Sequence, residues 1–360
     1  MLKHKFLLLP FVIFIIAFLL DKFFMIESIH VYYSKTLSEI NYFHKPELFD
    51  EMKKYLSQKD RKKVFVYFGN SRALLFSNEY IAQEYPEWIL YNFSVPGGTP
   101  DYALYWLEQF ESEGVHPDFV LIDASIEVFN QTPVIKLDEV LLNGVDFSFV
   151  FRYWNRYSPN DRNNFIAKRL FRLYQYRPKF NIILSRLKDD GRFVRIFENF
   201  RKEVRQKLKK ERGSATSEMK ASHTSSKEFI RNNAEFTYLS YITPYTFSDS
   251  MLAFLQDDIL ILQKMKVPHA VILVRIAPPY YNIIKTKKIH ENPEDTTTVY
   301  DIWYAKVGKS LEQTSTPLFN MNEDGDYDCD DFSDASHMST TCYPAYTDYI
   351  FKNIQKQLGQ

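Results

Sequence analysis

An α/β fold is what this sequence predicts: a parallel sheet flanked by helices, with a helical basic insertion and an apolar N-terminal segment. Three observations carry the expectation. Short apolar runs rich in β-branched and aromatic residues alternate with amphipathic helical stretches between residues 61 and 129, the alternation resumes at about residue 246, and both periodicity and charge change in between. The 360 residues are 45% hydrophobic and 25% charged, enough for a large core and unlike a disordered or collagen-like chain.

The first 26 residues read as a signal anchor. Lys3 and Lys5 precede an apolar run from Phe6 to Leu20, and Phe23 to Ile26 extend it if Asp21 and Lys22 lie at an interface. Asp21, Lys22, Phe23 and Phe24 offer no small-residue cleavage site, which favours an uncleaved anchor over a signal peptide or a buried core helix. The two lysines keep the N-terminus cytoplasmic, so a single-pass protein with its domain outside the cytoplasm is expected.

Residues 27–60 form a helical connector, with a polar helical stretch from Glu47 to Lys59. The first part of the α/β domain follows over 61–129: a strand Val64–Phe68 closed by Gly69, a strand Trp88–Val95 closed by Pro96-Gly97-Gly98, a helix Pro100–Glu113 and a strand Phe119–Ala124. Residues 130–245 form the helical basic insertion, which ends near a Ser/Thr/Ala-rich loop at 213–227. The domain's second part, 246–360, holds a helix 248–265, a strand 270–276 and a last helix 343–358.

Charge supports this division. Lysine plus arginine and aspartate plus glutamate both total 45, yet Arg152 to Arg212 alone carry 19 basic and 6 acidic residues. A neutral sum argues against a nucleic-acid partner, whereas the insertion's excess fits either a solvated helical face or contact with anionic lipid or acidic polysaccharide. The solvated face is the commoner origin, and the insertion's aromatics, among them Tyr153, Trp154, Tyr157, Phe171 and Tyr174, are expected in its core.

Two short motifs could carry chemistry. In Gly69-Asn70-Ser71-Arg72 a serine follows a strand end, the place where open α/β sheets present side chains to the ligand crevice; an ordinary helix cap has the same pattern. In Asp334-Ala335-Ser336-His337 the carboxylate lies three residues before the histidine and can accept its Nδ1–H, as can any surface Asp/His pair. Only 10 glycines occur, against about 25 in an average chain of this length, and three of them are Gly69, Gly97 and Gly98 at the two strand ends.

Taken together, the Gly-x-Ser after the first strand, the glycine after the second and the Asp-x-x-His before the last helix resemble the SGNH (GDSL-like) hydrolase superfamily. The likeness is to its membrane-tethered branch that handles acyl groups on cell-envelope glycans, such as the alginate-acetylation and D-alanyl-transfer proteins. The resemblance implies a three-layer sheet fold in which Ser71 is the nucleophile, His337 the general base and Asp334 its orienting carboxylate. It implies an oxyanion hole from the N–H groups of Ser71 and Gly97. Where the family places Gly-x-Asn after its third strand, this chain has Asp123-Ala124-Ser125-Ile126-Glu127, and the nearest asparagine, Asn130, is the candidate third donor. Arg72 either binds an anionic substrate or pairs with a neighbouring carboxylate, and Gly98 is a second candidate contact to substrate.

The function expected is therefore a serine acyl hydrolase or O-acyltransferase acting without cofactor on acyl, chiefly O-acetyl, esters of an envelope glycan, with a membrane acyl-transfer protein as a possible partner. A non-catalytic glycan-binding or scaffolding protein and a lipid-directed esterase are the alternatives. Cys329 and Cys342 either pair across a short loop or remain buried thiols. The acidic run from Glu323 to Asp331 lacks the sixth-position glycine and the terminal glutamate of an EF-hand and reads as a solvated loop. His116, His223, His269 and His290 have no partner at zinc-ligand spacing, so no metal is expected.

Overall fold

The computed structural model describes residues 5–33, 38–131, 139–214, 223–289 and 296–359. The chain begins with helix α1 (Lys5–Phe24), followed by α2 (Ser38–Leu56). Strand β1 (Lys63–Phe68) then leads to β2 (Trp88–Asn92), helix α3 (Pro100–Glu113) and β3 (Phe119–Asp123). The insertion includes helices α4 (Phe180–Lys188), α5 (Arg192–Lys210) and α6 (Lys227–Tyr241). Helix α7 (Asp249–Lys264), β4 (His269–Leu273), α8 (Pro278–Thr286) and β5 (Leu318–Asn320) complete the sheet region. A hairpin of β6 (Phe332–Asp334) and β7 (His337–Met338) precedes the last helix, α9 (Tyr343–Gln357).

Five strands form one sheet in the order β2-β1-β3-β4-β5, and every neighbouring pair is parallel. Both faces are covered, which explains why β1 to β3 read as unbroken apolar runs. Phe68, on one face of β1, meets Phe110 of α3, and Phe110 stacks on Phe49 of α2. On the other face, Phe65 and Tyr67 meet Phe351 and Tyr346 of α9, the two tyrosine hydroxyls lying 2.8 Å apart. The architecture is thus a parallel five-stranded sheet flanked by helices.

Three elements differ from expectation. The segment read as a connector is part of the core: α2 runs from residue 38 rather than 47 and buries Tyr42, Leu48, Phe49 and Met52. It also buries Lys45, whose ammonium donates to the carbonyls of Asn92 and Gly213. The fifth strand, only three residues long, gave no periodicity to read. In the insertion Tyr157 is buried, whereas Phe171 packs against Phe14 and Phe18 of α1 and Tyr174 is exposed. The loop expected at 213–227 falls largely outside the described residues, as does His290.

Among the described residues no helix is long and apolar enough to cross a membrane. The side chains of α1 nonetheless face outward: Leu8, Leu9, Phe11, Ile13, Ile16 and Leu19 are all at least half exposed. Cys329 and Cys342 are joined by a disulfide across 13 residues of chain.

Candidate active site

Strand order fixes where a site can form. After β1 the chain places β2 on one side and then β3 on the other, so the connections leaving β1 and β3 diverge and open a crevice at the carboxyl ends of the strands. Ser71 follows β1, Gly97 follows β2, and the Asp123–Glu127 segment follows β3. All three reach the same end of the sheet.

Ser71 opens a short 3-10 turn, Ser71–Leu74, capped by Asn70, whose side-chain oxygen accepts from the Arg72 N–H at 2.9 Å. The first N–H groups of such a turn have no partner within it, which leaves the Ser71 N–H available to a ligand. Two glycines allow the neighbouring loops to approach. A Cβ on Gly98 would lie 2.3 Å from the Gly69 carbonyl oxygen, and Gly97 adopts φ 71°, a backbone region that glycine enters without strain. The side chain of Asn92, at the end of β2, donates to the Ala73 carbonyl at 2.8 Å and ties the serine turn to the second strand.

The histidine arrives on the β6–β7 hairpin, whose tight turn is Asp334-Ala335-Ser336-His337. Its Nε2 lies 2.8 Å from Ser71 Oγ, although 266 residues separate the two in sequence. Its Nδ1 is 3.0 Å from both carboxylate oxygens of Asp334. With Nδ1–H directed to the carboxylate, Nε2 is left as the acceptor for the serine proton. One Asp334 oxygen also accepts from the N–H groups of Ser336 and His337 at 2.8 and 2.9 Å. Burial raises the Asp334 carboxyl, but the hydrogen bond and charge of His337, with the Ser336 donors, more than offset this and hold it well below the usual carboxylate range. The turn is pinned from outside as well: Asn233 of α6 accepts from the Ala335 N–H, and Arg72 Nε donates to the Ser336 carbonyl at 2.8 Å.

Arg72 is part of the frame rather than a free cation. Its guanidinium is buried against Glu127, with Nη2–Oε1 at 2.6 Å and Nη1–Oε2 at 3.1 Å, and Nη1 also donates to Ser125. Tyr280 completes the Glu127 site, its hydroxyl donating at 2.9 Å. Burial pushes the Glu127 carboxyl up, and the charge and hydrogen bonds of Arg72 bring it below its ordinary value. Ser125 bridges to Asp123, which burial pushes up to about 6 against the opposing pull of Arg72 and Ser125. Of the two expectations for Arg72, pairing with a carboxylate is the one that the geometry favours.

A cleft of about 250 Å³ contains Ser71 and His337, and the Arg72–Glu127 pair forms part of its wall together with Asn70, Pro96, Gly97, Glu139, Tyr241 and Ser336. Two expected members are elsewhere. Asn130 donates its amide to the carbonyls of Tyr241, Ile242 and Pro244 and accepts from the Thr246 N–H, so it braces the loop after α6 and lines a separate cleft of about 310 Å³. This corrects its assignment as an oxyanion donor. Gly98 is buried, donates to the Val95 carbonyl and fills the contact with Gly69, which corrects its assignment to substrate.

Sequence reasoning missed Asn70, Ser125, Glu127, Ser336, Asn233 and Tyr241. Asn70, as a cap residue before the turn, and Ser336, inside the Asp-x-x-His turn, carried a local signal; the others reach the site through tertiary packing. Among the described residues no group of three or more histidine, cysteine, aspartate or glutamate side chains is arranged to hold a metal ion. The acidic run instead meets cations: Glu323 pairs with Lys285, Asp326 with Lys352 and Asp330 with Arg275.

A family model described as a protein of unknown function (DUF1574) matches residues 1–354. No curated protein matches the chain.

Proposed function

Because the chain belongs to the DUF1574 family, whose description assigns no activity, its function must come from its own geometry, and we propose that it is an SGNH-type serine acyl hydrolase or O-acyltransferase. One observation carries the reading: Ser71, His337 and Asp334 form a continuous hydrogen-bonded relay, 2.8 and 3.0 Å long, with the serine in an open cleft. A surface Asp/His pair has no reason to point its free nitrogen at a capped serine hydroxyl.

In this proposal Ser71 Oγ attacks an ester carbonyl while its proton passes to His337 Nε2. The charge that develops on the imidazolium is held by Asp334. The carbonyl oxygen becomes an oxyanion that the N–H groups of Ser71 and Gly97 receive. Collapse breaks the bond to the alcohol, which leaves with the proton from His337, and Ser71 keeps the acyl group. Water or a sugar hydroxyl then gives its proton to His337 and attacks the acyl-serine; collapse breaks the acyl–Oγ bond, and Ser71 Oγ leaves with the proton from His337. Arg72, Glu127 and Ser125 act as positioning residues that hold the serine turn and the histidine hairpin together.

The substrate implied by the resemblance is an acyl, chiefly O-acetyl, ester of a cell-envelope glycan, with an acyl-transfer membrane protein as donor partner. An anchor formed by residues 6–26 is part of the proposal, and the outward-facing apolar side chains of α1, which water would penalise, support it. The disulfide supports an extracytoplasmic domain, since such bonds persist mainly in oxidising compartments. The engagement of Asn130 elsewhere favours the second reading, a non-catalytic glycan-binding or scaffolding protein, because it leaves the proposed oxyanion hole with two backbone donors.

A serine-directed fluorophosphonate separates the two. The full-length protein in detergent is expected to gain the phosphonyl mass on Ser71, and Ser71→Ala and His337→Ala are expected to abolish it. An unlabelled folded protein, or labelling that persists in Ser71→Ala, removes the enzyme reading.

A further inference from the structure

The basic insertion was expected to be a solvated face around an aromatic core, yet its outer helices expose apolar side chains in register. On α4, Phe180, Leu184 and Leu187 recur at i, i+4 and i+7 and are 73%, 39% and 55% exposed. Such spacing places them on one face of the helix. On α5, Ile196 and Phe200, one turn apart, are 59% and 43% exposed. The same helices carry exposed cations, Lys188, Arg192, Arg195, Lys202 and Arg205. By contrast, the C-terminal half of α5 buries Val204 and Leu208. Within this pair of helices, the apolar exposure therefore lies in the outer part; Phe229, Phe236 and Leu239 of α6 are exposed elsewhere.

The segment just before α4 is fastened to the end of α1. The Leu173 N–H donates to buried Asp21 at 2.8 Å, and Lys22 donates to the Leu170 carbonyl at 2.9 Å. The Phe171 ring lies edge-on to Phe14 and Phe18, well inside the apolar run. Just beyond α1, Arg186 of α4 donates to the Val31 carbonyl and Arg201 of α5 pairs with Glu27. If α1 is in a bilayer, the contacts of Arg186 and Arg201 with residues 27–31 hold α4 and α5 near its surface, within reach of their exposed apolar residues.

From these tethers and the exposed cations, we propose that α4 and the outer half of α5 form a monotopic membrane-binding face that inserts shallowly into a leaflet containing anionic lipid. Phe180, Leu184, Leu187, Ile196 and Phe200 enter the headgroup–acyl boundary, while the cations meet lipid phosphates. The face rests on the anchor reading but is independent of any chemistry at Ser71.

The test uses full-length protein reconstituted into vesicles of phosphatidylcholine alone or mixed with phosphatidylglycerol. Single cysteines replace Ile13, Leu187, Ile196 or Lys309, and each carries an environment-sensitive fluorophore; lipids with a shallow spin label serve as quenchers. Lys309, exposed at the start of the short helix that precedes the edge strand β5, is the aqueous control. Expected are blue-shifted, quenched emission at Ile13 in both vesicles, the same at Leu187 and Ile196 with deeper quenching when phosphatidylglycerol is present, and unquenched emission at Lys309. The triple variant Arg192→Glu, Arg195→Glu and Lys202→Glu is expected to lose the phosphatidylglycerol-dependent part at Ile196. Quenching at Ile13 with Leu187 and Ile196 resembling Lys309 overturns the membrane face and leaves the anchor standing. No quenching at Ile13 refutes the anchor and the face together. Equal quenching at Leu187 and Ile196 in the two vesicles overturns the assignment to anionic lipid.

Discussion

The ion pair behind the serine gives the sharpest stability test. Arg72 and Glu127 are 9% and 3% exposed and meet through two contacts of 2.6 and 3.1 Å. Removing one member of such a buried pair leaves a desolvated charge, which costs about 3–5 kcal/mol. Glu127→Ala strands both the Arg72 guanidinium and the Tyr280 hydroxyl, so its loss is expected in that range. A control pair lies at the surface: Arg275 meets Asp330 at 2.6 Å, but Asp330 is 58% exposed, and Asp330→Ala is expected to cost no more than about 1 kcal/mol. Replacing both buried partners, Arg72→Met with Glu127→Leu, removes the stranded charge and is expected to recover most of the loss in stability without restoring fluorophosphonate labelling of Ser71. Urea unfolding of each variant in one detergent, with the slope compared as well as the midpoint, gives the values. A Glu127→Ala loss below about 1 kcal/mol refutes the brace and returns Arg72 to the substrate-binding role. A double variant as destabilised as the sum of its two single variants also counts against it.

The remaining predictions concern titration and the disulfide. Because the folded state depresses the Asp334 carboxyl, its contribution to stability is present above its ordinary value near 4 and is lost as pH falls further. Asp334→Asn is therefore expected to flatten the acid limb of a stability–pH curve and to slow labelling of Ser71; an unchanged acid limb counts against the reading. Asp123 has the opposite sign. With its carboxyl raised to about 6, its contribution is full below pH 4 and is lost as pH rises through 6, so Asp123→Asn is expected to reduce the fall in stability between pH 4 and 7. Replacing both Cys329 and Cys342 by serine is expected to cost about 3 kcal/mol, the loop-closure contribution for a 13-residue separation; calorimetry that detects no change under non-reducing conditions contradicts it.

Much of the sheet was legible because buried parallel strands must be apolar on both faces. All four strands read from sequence begin within one residue of those formed, and α3 matches at both ends. The β5 strand was not legible, since Leu318–Asn320 has too few residues to define a period. The connector was misjudged because α2 mixes buried Leu48 and Met52 with buried Lys45, a residue whose charge usually marks a solvated face. At the site, Ser71, Asp334 and His337 were legible through short local motifs. Glu127, Tyr241 and Asn233 were not, because each reaches the cleft or its hairpin from an element whose approach depends on tertiary packing. Asn130 was misassigned for the same reason: closeness in sequence to the third strand says nothing about which carbonyls its amide will meet.

The route from α5 to the serine bears on how the cleft would lie at a membrane. A flexible linker after α1 would let the candidate cleft take any orientation within reach of the bilayer. The insertion limits that freedom. Helix α5 ends at Lys210, and two residues later the Arg212 carbonyl accepts from the Asn92 N–H at 2.9 Å, while Lys45 holds the carbonyls of Asn92 and Gly213 together. The Asn92 side chain in turn holds Ala73, two residues from Ser71. From the outer half of α5 to the serine turn, therefore, the connection runs through one helix and three buried hydrogen-bonding groups, with no free linker between them. If the outer half of α5 lies on the membrane, the cleft is held in a defined orientation to it, and a substrate presented at a fixed height above the bilayer would meet Ser71 without a search by the domain. An envelope glycan or a membrane-bound acyl donor has that property, whereas a freely diffusing ester gains nothing from it.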